Sequence, residues 1–235
     1  MKKILVAAIS LFVGVLAGCL STPTFQTGED AELTFDGLTR MDGTIMDVVW
    51  ARTDIDLTGY SKVMLENMGV EYREVSGPYS GRAGMGSTRI QSGSQTEFKL
   101  DADTRALFEE EIGSAFVEAM ARSNVFEIVE AAGPDVLLVR GGLLDVVSRV
   151  PPDTVGRSEV FIDSVGEATL ILEIRSSVSN SIYVRAVDGR AMSQAFQMQR
   201  SNRATNRAEV RRLGRRWGDM LREGLDTLLT DGLKK

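Results

Sequence analysis

Histidine is absent from the 235 residues, and cysteine occurs once, as Cys19. Without an imidazole the chain cannot build a Ser-His-Asp triad, a Cys-His dyad or a histidine-rich zinc or iron site. A single thiol excludes an internal disulfide, a thiolate cluster and a C-x-x-C redox pair. Lysine is scarce: after Lys2 and Lys3 only Lys62, Lys99, Lys234 and Lys235 occur, none in an S-x-x-K motif, and G-x-S-x-G is missing. The common serine-nucleophile signatures are therefore gone. What is present, 43% hydrophobic and 26% charged residues, is the composition of an ordinary globular protein of one domain plus appendages.

The first nineteen residues read as an address. Lys2 and Lys3 form a positive start, and Ile4 to Leu16 form a nearly unbroken apolar run. Thirteen helical residues reach only about 20 Å, short of the roughly 30 Å hydrocarbon core, so a secretory signal fits better than a transmembrane helix. Leu16-Ala17-Gly18-Cys19 resembles the bacterial lipobox. That resemblance implies a signal peptide over 1–18, cleavage before Cys19, diacylglycerol on its thiol and an acyl chain on the new amine. It also accounts for a lone cysteine in an oxidising compartment. Several acyl chains on one residue anchor stably without any protein contact. Leu20, not Asp, follows the cysteine, which in lipoproteins of the enteric type implies transport to the periplasmic face of the outer membrane. No cofactor is expected beyond this covalent lipid.

Residues 20–40 are polar, lack a period and contain Pro23, Gly28 and the acidic Glu29, Asp30 and Glu32. A lipidated cysteine and flexible tether are therefore expected over 19–44, and a single domain over 45–235. Within the domain, Ile45–Ala51 reads as a short edge strand, and Lys62–Val75 as a strand interrupted near Gly69. The run 76–96 holds five Gly and five Ser among twenty-one residues and reads as a mobile loop. Its glycine spacing does not match G-x-G-x-x-G, and no strand feeds a helix there.

Asp101–Arg122 is the clearest helix, with Asp101 as N-cap and Phe108, Ile112, Ala115, Phe116, Ala119 and Met120 at helical spacing. Phe126–Val129 reads as a short strand. Asp135–Val150 reads as a central strand, where Gly141-Gly142 marks a bulge or a close backbone approach. Gly166–Arg175 and Ile182–Ala186 alternate and read as a hairpin. A second helix is expected from about Arg207 to Leu229, with Asn206 and Glu209 as its capping box. Gly214 and Gly218 each cost about 1 kcal/mol in a helix relative to Ala, which close packing against the sheet would explain. Together these predict a two-layer α+β fold: a mixed, mostly antiparallel sheet of about five strands with two helices on one face.

Several stretches are similar to the domain-of-unknown-function 3313 family of proteobacterial lipoproteins. They are Asp56 to Val63, Gly133 to Leu137, Arg149-Val150-Pro151-Pro152, Gly166 to Leu170 and Ala208 to Leu213. The resemblance implies an exported lipoprotein domain and brings no catalytic residues.

Charge is unevenly spread. Residues 200–235 carry 10 Lys+Arg and 5 Asp+Glu, whereas residues 19–199 carry 15 and 28. Arg207, Arg211 and Arg215 lie at i, i+4 and i+8, with Arg212 and Arg216 as a second pair, all able to grip an anion in bidentate fashion. This stripe reads either as a solvated face neutralising the acidic body or as a docking stripe for an anionic envelope partner or protein. Export and the acidic total argue against nucleic acid. Asp145, inside an apolar strand, is the oddest carboxylate, and Arg140 or Arg149 is its expected partner. The function these features favour is a non-enzymatic binding or assembly module of the cell envelope. The alternative is an envelope hydrolase using a carboxylate pair on glycan or lipid.

Overall fold

Strict alternation in the second half of the chain sets the sheet. On β8 (Gly166–Ser176), Ala168, Leu170, Leu172 and Ile174 are buried, while Glu167, Thr169, Glu173 and Arg175 between them stay half-exposed. One face therefore packs and the other is solvated. The computed structural model describes residues 23–75, 97–151, 161–192 and 199–232. Segments 1–18 and 76–96, and Cys19, lie outside the described residues.

The described strands before β8 are β1 (Thr24–Phe25), β2 (Thr39–Asp42), β3 (Val48–Ala51), β4 (Lys62–Tyr72), β5 (Glu127–Ile128), β6 (Val136–Ser148) and β7 (Phe161–Ile162). After it come β9 (Ile182–Ala191) and β10 (Gln199–Arg200), and the helices are α1 (Ala102–Met120) and α2 (Arg203–Asp231). Eight strands form one sheet in the order β1-β2-β3-β9-β8-β6-β4-β5, and β7 pairs with β10 separately. Only β4 with β6 and β4 with β5 are parallel, since α1 provides the crossover that parallel neighbours need. The fold is α+β as expected, with eight strands in the sheet instead of about five. No helix among the described residues is long and apolar enough to cross a membrane.

The segment expected to be a tether is part of the sheet. β1 and β2 pair through Phe25↔Met41 and Thr24↔Asp42, and β2 pairs onward with β3. Leu38 is wholly buried and Met41 nearly so. Two apolar anchors and non-local backbone pairing order this stretch despite its polar composition.

The solvated face is organised by cross-strand neighbours. In register across six strands run Arg40, Trp50, Arg185, Glu173, Arg140 and Glu66. Arg40 lies over the Trp50 ring at 5.3 Å, Arg185 pairs with Glu173 at 3.1 Å, and Arg140 pairs with Glu66 at 3.1 Å. Burial works against the charge on Glu173, but Arg175 and Arg185 outweigh it and hold its carboxyl below the ordinary range.

Candidate functional site

The two helices run parallel, and their contact is unusually close. A Cβ on Gly214 would stand 2.5 Å from the Ile112 carbonyl oxygen. One on Gly218 would stand 2.6 Å from both Ala119 Cβ and the Phe116 carbonyl oxygen. The glycines therefore serve helix–helix packing against Ala115 and Ala119, not packing against the sheet. Carboxylates of α1 and arginines of α2 close the same seam. Glu111, almost fully buried, is held by Arg207 and, at 3.2 Å, by Arg211, which also grips Glu118 at 2.7 Å. Arg122 reaches Asp219 at 2.6 Å further along.

Pinned together in this way, the helices leave a cavity of about 320 Å³ against the packed face of β4, β6 and β8. Its walls include Leu65, Val139, Leu172, Ile112, Phe116 and Trp217. Glycine makes the room. β4 bulges at Asn67–Gly69 opposite Gly141 and Gly142, and Gly69 takes a φ of +94° that other residues resist. A Cβ on Gly142 would come within 3.1 Å of Met68 Cβ, so the close approach expected of Gly141-Gly142 is present, whereas the bulge belongs to the facing strand, where Met68 is the extra residue. Two polar side chains, Asn67 and Glu109, line the cavity, and each is held by a neighbour. Glu109 accepts from the Tyr72 hydroxyl at 2.9 Å, and Asn67 Oδ1 accepts from the Gly69 amide at 2.8 Å, while the Glu66 side chain pairs with Arg140 on the solvated face. The remaining surface favours an apolar guest.

The arginine stripe divides. Arg207 and Arg211 are spent on Glu111 and Glu118, and Arg212 pairs within its own helix with buried Glu209. Arg215 and Arg216 make no ion pair with a described residue, and Arg216 is exposed. The capping box also differs from expectation: α2 is capped one turn earlier by Asn202 and Thr205. Glu209 is instead turned inward, 2% exposed. Asp145 finds its arginine outside its own strand. It sits at a positive φ of 55° and accepts from Arg73 Nε at 2.7 Å, while Arg140 and Arg149 serve Glu66 and Glu167. The Arg73 hydrogen bonds hold the Asp145 carboxyl below its usual pKa.

One residue of the site escaped the sequence reading. Asp188 on β9 is wholly buried and accepts from Trp217 Nε1 at 2.8 Å, from Arg190 at 2.6 Å and from the Asp47 amide at 3.2 Å. It fixes the indole that forms one wall of the cavity. Its signal was available: Val184 and Ala186 alternate inward, and Asp188 continues that parity.

No family model matches the chain, and no curated protein matches it at significance. Solved structures do. The PelC dodecamer from Paraburkholderia phytofirmans aligns at 11% identity over 73% of this chain and 96% of that one, with a TM-score of 0.34. A Xanthomonas campestris protein of the domain-of-unknown-function 330 family aligns at 11% identity over 73% and 86%, at 0.32. A hypothetical protein from Chlamydia trachomatis aligns at 12% identity over 72% and 98%, at 0.33. Likeness this distant says nothing of activity.

Proposed function

We propose that this chain is a lipid-anchored binding module of the bacterial envelope, held through diacylglycerol on Cys19 at the periplasmic face of the outer membrane. Its glycine-walled cavity receives one acyl segment of an envelope lipid. The observation that carries this reading is the cavity's chemistry: apolar walls, and polar side chains, Glu109 and Asn67, that are already held by Tyr72 and the Gly69 amide. At about 320 Å³ it lies at the small end of ligand pockets, suited to a chain segment and not to a whole lipid. Glu109 beside it disfavours an anionic head group at the mouth. A hydrolase would need two carboxylates flanking a scissile bond, whereas Glu109 accepts from Tyr72 and the Glu66 side chain pairs with Arg140 on the other face of the sheet. Arg215 and Arg216, which make no ion pair with a described residue, remain for contact with an anionic envelope partner.

Trp217 is a built-in reporter, because the chain has only two tryptophans. In a Trp50→Phe background, a zwitterionic phospholipid with a brominated acyl chain should quench Trp217 emission saturably. Gly113→Leu should abolish that quenching. Gly113 lines the cavity, and a Cβ there would meet no atom within 4 Å. Replacing a helical glycine should also keep or raise stability, by up to about 1 kcal/mol. Unquenched Trp217 at saturating lipid, or quenching that Gly113→Leu leaves intact, rejects the acyl site. The anchor is tested separately: Cys19→Ser should lose palmitate labelling and release the chain from the outer-membrane fraction. A variant that still takes up palmitate and still fractionates there rejects the lipoprotein reading.

A further inference from the structure

Among the described residues, four large apolar side chains are more than half exposed: Leu33 at 70%, Phe35 at 98%, Ile45 at 60% and Val178 at 67%. The register of the sheet sorts them to its two ends. β1 enters antiparallel to β2 with Thr24 opposite Asp42, and the turn 43–47 carries the chain from Asp42 back into β3, where Val49 pairs with Met41. Ile45 lies in that turn, so it sits at the end where the described chain begins. Leu33 and Phe35 precede β2, and Val178 lies in the turn between β8 and β9, which places all three at the opposite end.

The turn that holds out Ile45 is built and not frayed. Gly43 takes a φ of +70°, which a side chain would resist. Met46 is buried, and the Thr44 hydroxyl donates to its carbonyl at 2.9 Å. The Asp47 amide donates to buried Asp188 at 3.2 Å, and the Gly189 amide donates to Asp47 Oδ2 at 2.9 Å. Arg190 donates to the Ile45 carbonyl at 3.4 Å and pairs with Asp188 at 2.6 Å, so its charge is matched beside the turn. With the backbone already fixed, moving this aliphatic side chain into an apolar phase requires no ordering of the turn.

Chain length says which phase is at hand. Pro23, where the described chain begins, stands four residues after Cys19, and four residues span at most about 14 Å. The end holding Thr24 and Ile45 is therefore the one within reach of a bilayer that holds Cys19. Val178 lies beyond the far end of β9, whose ten residues span about 33 Å. Resting on the reading that Cys19 is lipidated, we propose that the domain stands on the bilayer with its Thr24–Asp42 end down. Ile45 enters the interfacial region of a zwitterionic phospholipid surface. The acyl chains hold the protein there, and Ile45 sets which way the domain faces. Asp42 and Asp47, both exposed beside Ile45, outnumber Arg190 and argue for a zwitterionic surface over an anionic one. Both helices start at this end. α1 begins beside Tyr72 at the close of β4 and leads to β5, which pairs with Lys62 at the opening of β4, and α2 runs parallel to α1. The positive ends of both helix dipoles thus face the lipid phosphates, while Leu33, Phe35 and Val178 point away from the membrane.

With Cys19 acylated, a new cysteine is the only free thiol, so one fluorophore can be carried to either end. Mature lipidated protein carrying Ile45→Cys with an environment-sensitive fluorophore is reconstituted into phosphatidylcholine vesicles with a quencher on the lipid chains. Expected are a blue-shifted emission and quenching several-fold stronger than from the same fluorophore at Val178→Cys. Both side chains are exposed, so neither substitution threatens the fold, and the shared fluorophore cancels its own affinity for lipid. A chain that floats with the vesicles yet shows water-like emission at position 45, or equal quenching at 45 and 178, overturns this proposal alone. A chain that does not float has no anchor, which overturns both readings. Shielding at position 45 that needs no vesicles and grows with protein concentration assigns the turn to a second copy of the chain and also overturns the membrane proposal.

Discussion

The double substitution Gly214→Ala, Gly218→Ala is expected to destabilise the protein by about 3–5 kcal/mol, against what helix propensity predicts. Propensity alone favours each change by about 1 kcal/mol. Opposing it, each new methyl meets backbone: the Ile112 carbonyl oxygen at 2.5 Å and the Phe116 carbonyl oxygen at 2.6 Å. A side-chain tip can rotate away, whereas a helix carbonyl cannot, so the helices must separate. Overpacking typically costs 1–3 kcal/mol per site. Separation also loosens the Glu111–Arg211 contact and the Arg122–Asp219 pair across the seam. Gly224→Ala in the same helix is the control, since a Cβ there meets nothing within 4 Å. That variant should gain up to about 1 kcal/mol. Denaturant unfolding of the three proteins decides the matter: a double variant as stable as Gly224→Ala would show that the close contact of α1 and α2 does not exist. Since domains are stable by only about 5–15 kcal/mol, the double variant should be visibly compromised near 37 °C.

Those glycines also show where sequence reasoning reaches its limit. Their cost in a helix pointed to close packing, but the partner depended on which elements meet. A matching pattern, Ala115 and Ala119 four apart on α1, was present and is the complement that parallel packing uses. The elements with strong local period were legible: the Asp101 cap, the alternation of β8, the interruption of β4 near Gly69. β1 and β2 were not, because two and four residues carry no period and their order comes from pairing with β3 and from burial of Leu38. The arginine spacing on α2 was visible. That Glu111 and Glu118 would meet Arg207 and Arg211 depended on the register between helices about a hundred residues apart. Likewise Asp145 pairs with Arg73 across 72 positions, and local reading could offer only nearer arginines. The cavity was illegible for the same reason, being walled by three strands and two helices at once.

Asp188→Ala should be the most damaging single change outside the helix seam, costing about 3–5 kcal/mol. The carboxylate is wholly buried and satisfies three donors: Trp217 Nε1, the Arg190 guanidinium and the Asp47 amide. Removing it takes away the closest carboxylate of Arg190, whose part-buried guanidinium keeps only the more distant Asp47 at 4.0 Å and the Ile45 carbonyl at 3.4 Å, and a poorly paired charge away from water is costly. It also orphans the indole N–H of Trp217, 1% exposed, at a further desolvation cost of about 1–3 kcal/mol. The decisive comparison is Asp188→Ala with Arg190→Met. If the cost comes from the poorly paired charge, the pair should be more stable than Asp188→Ala alone, because the double variant has no charge left to desolvate. Strictly additive losses would mean that Asp188 and Arg190 are not coupled. The same variants bear on binding. Trp217 is a wall of the cavity and Asp188 is its only described hydrogen-bond partner, so freeing the indole should alter its emission and weaken acyl quenching even in protein that remains folded. Quenching equal to wild type in a folded Asp188→Ala chain would show that the indole's anchor does not shape the site.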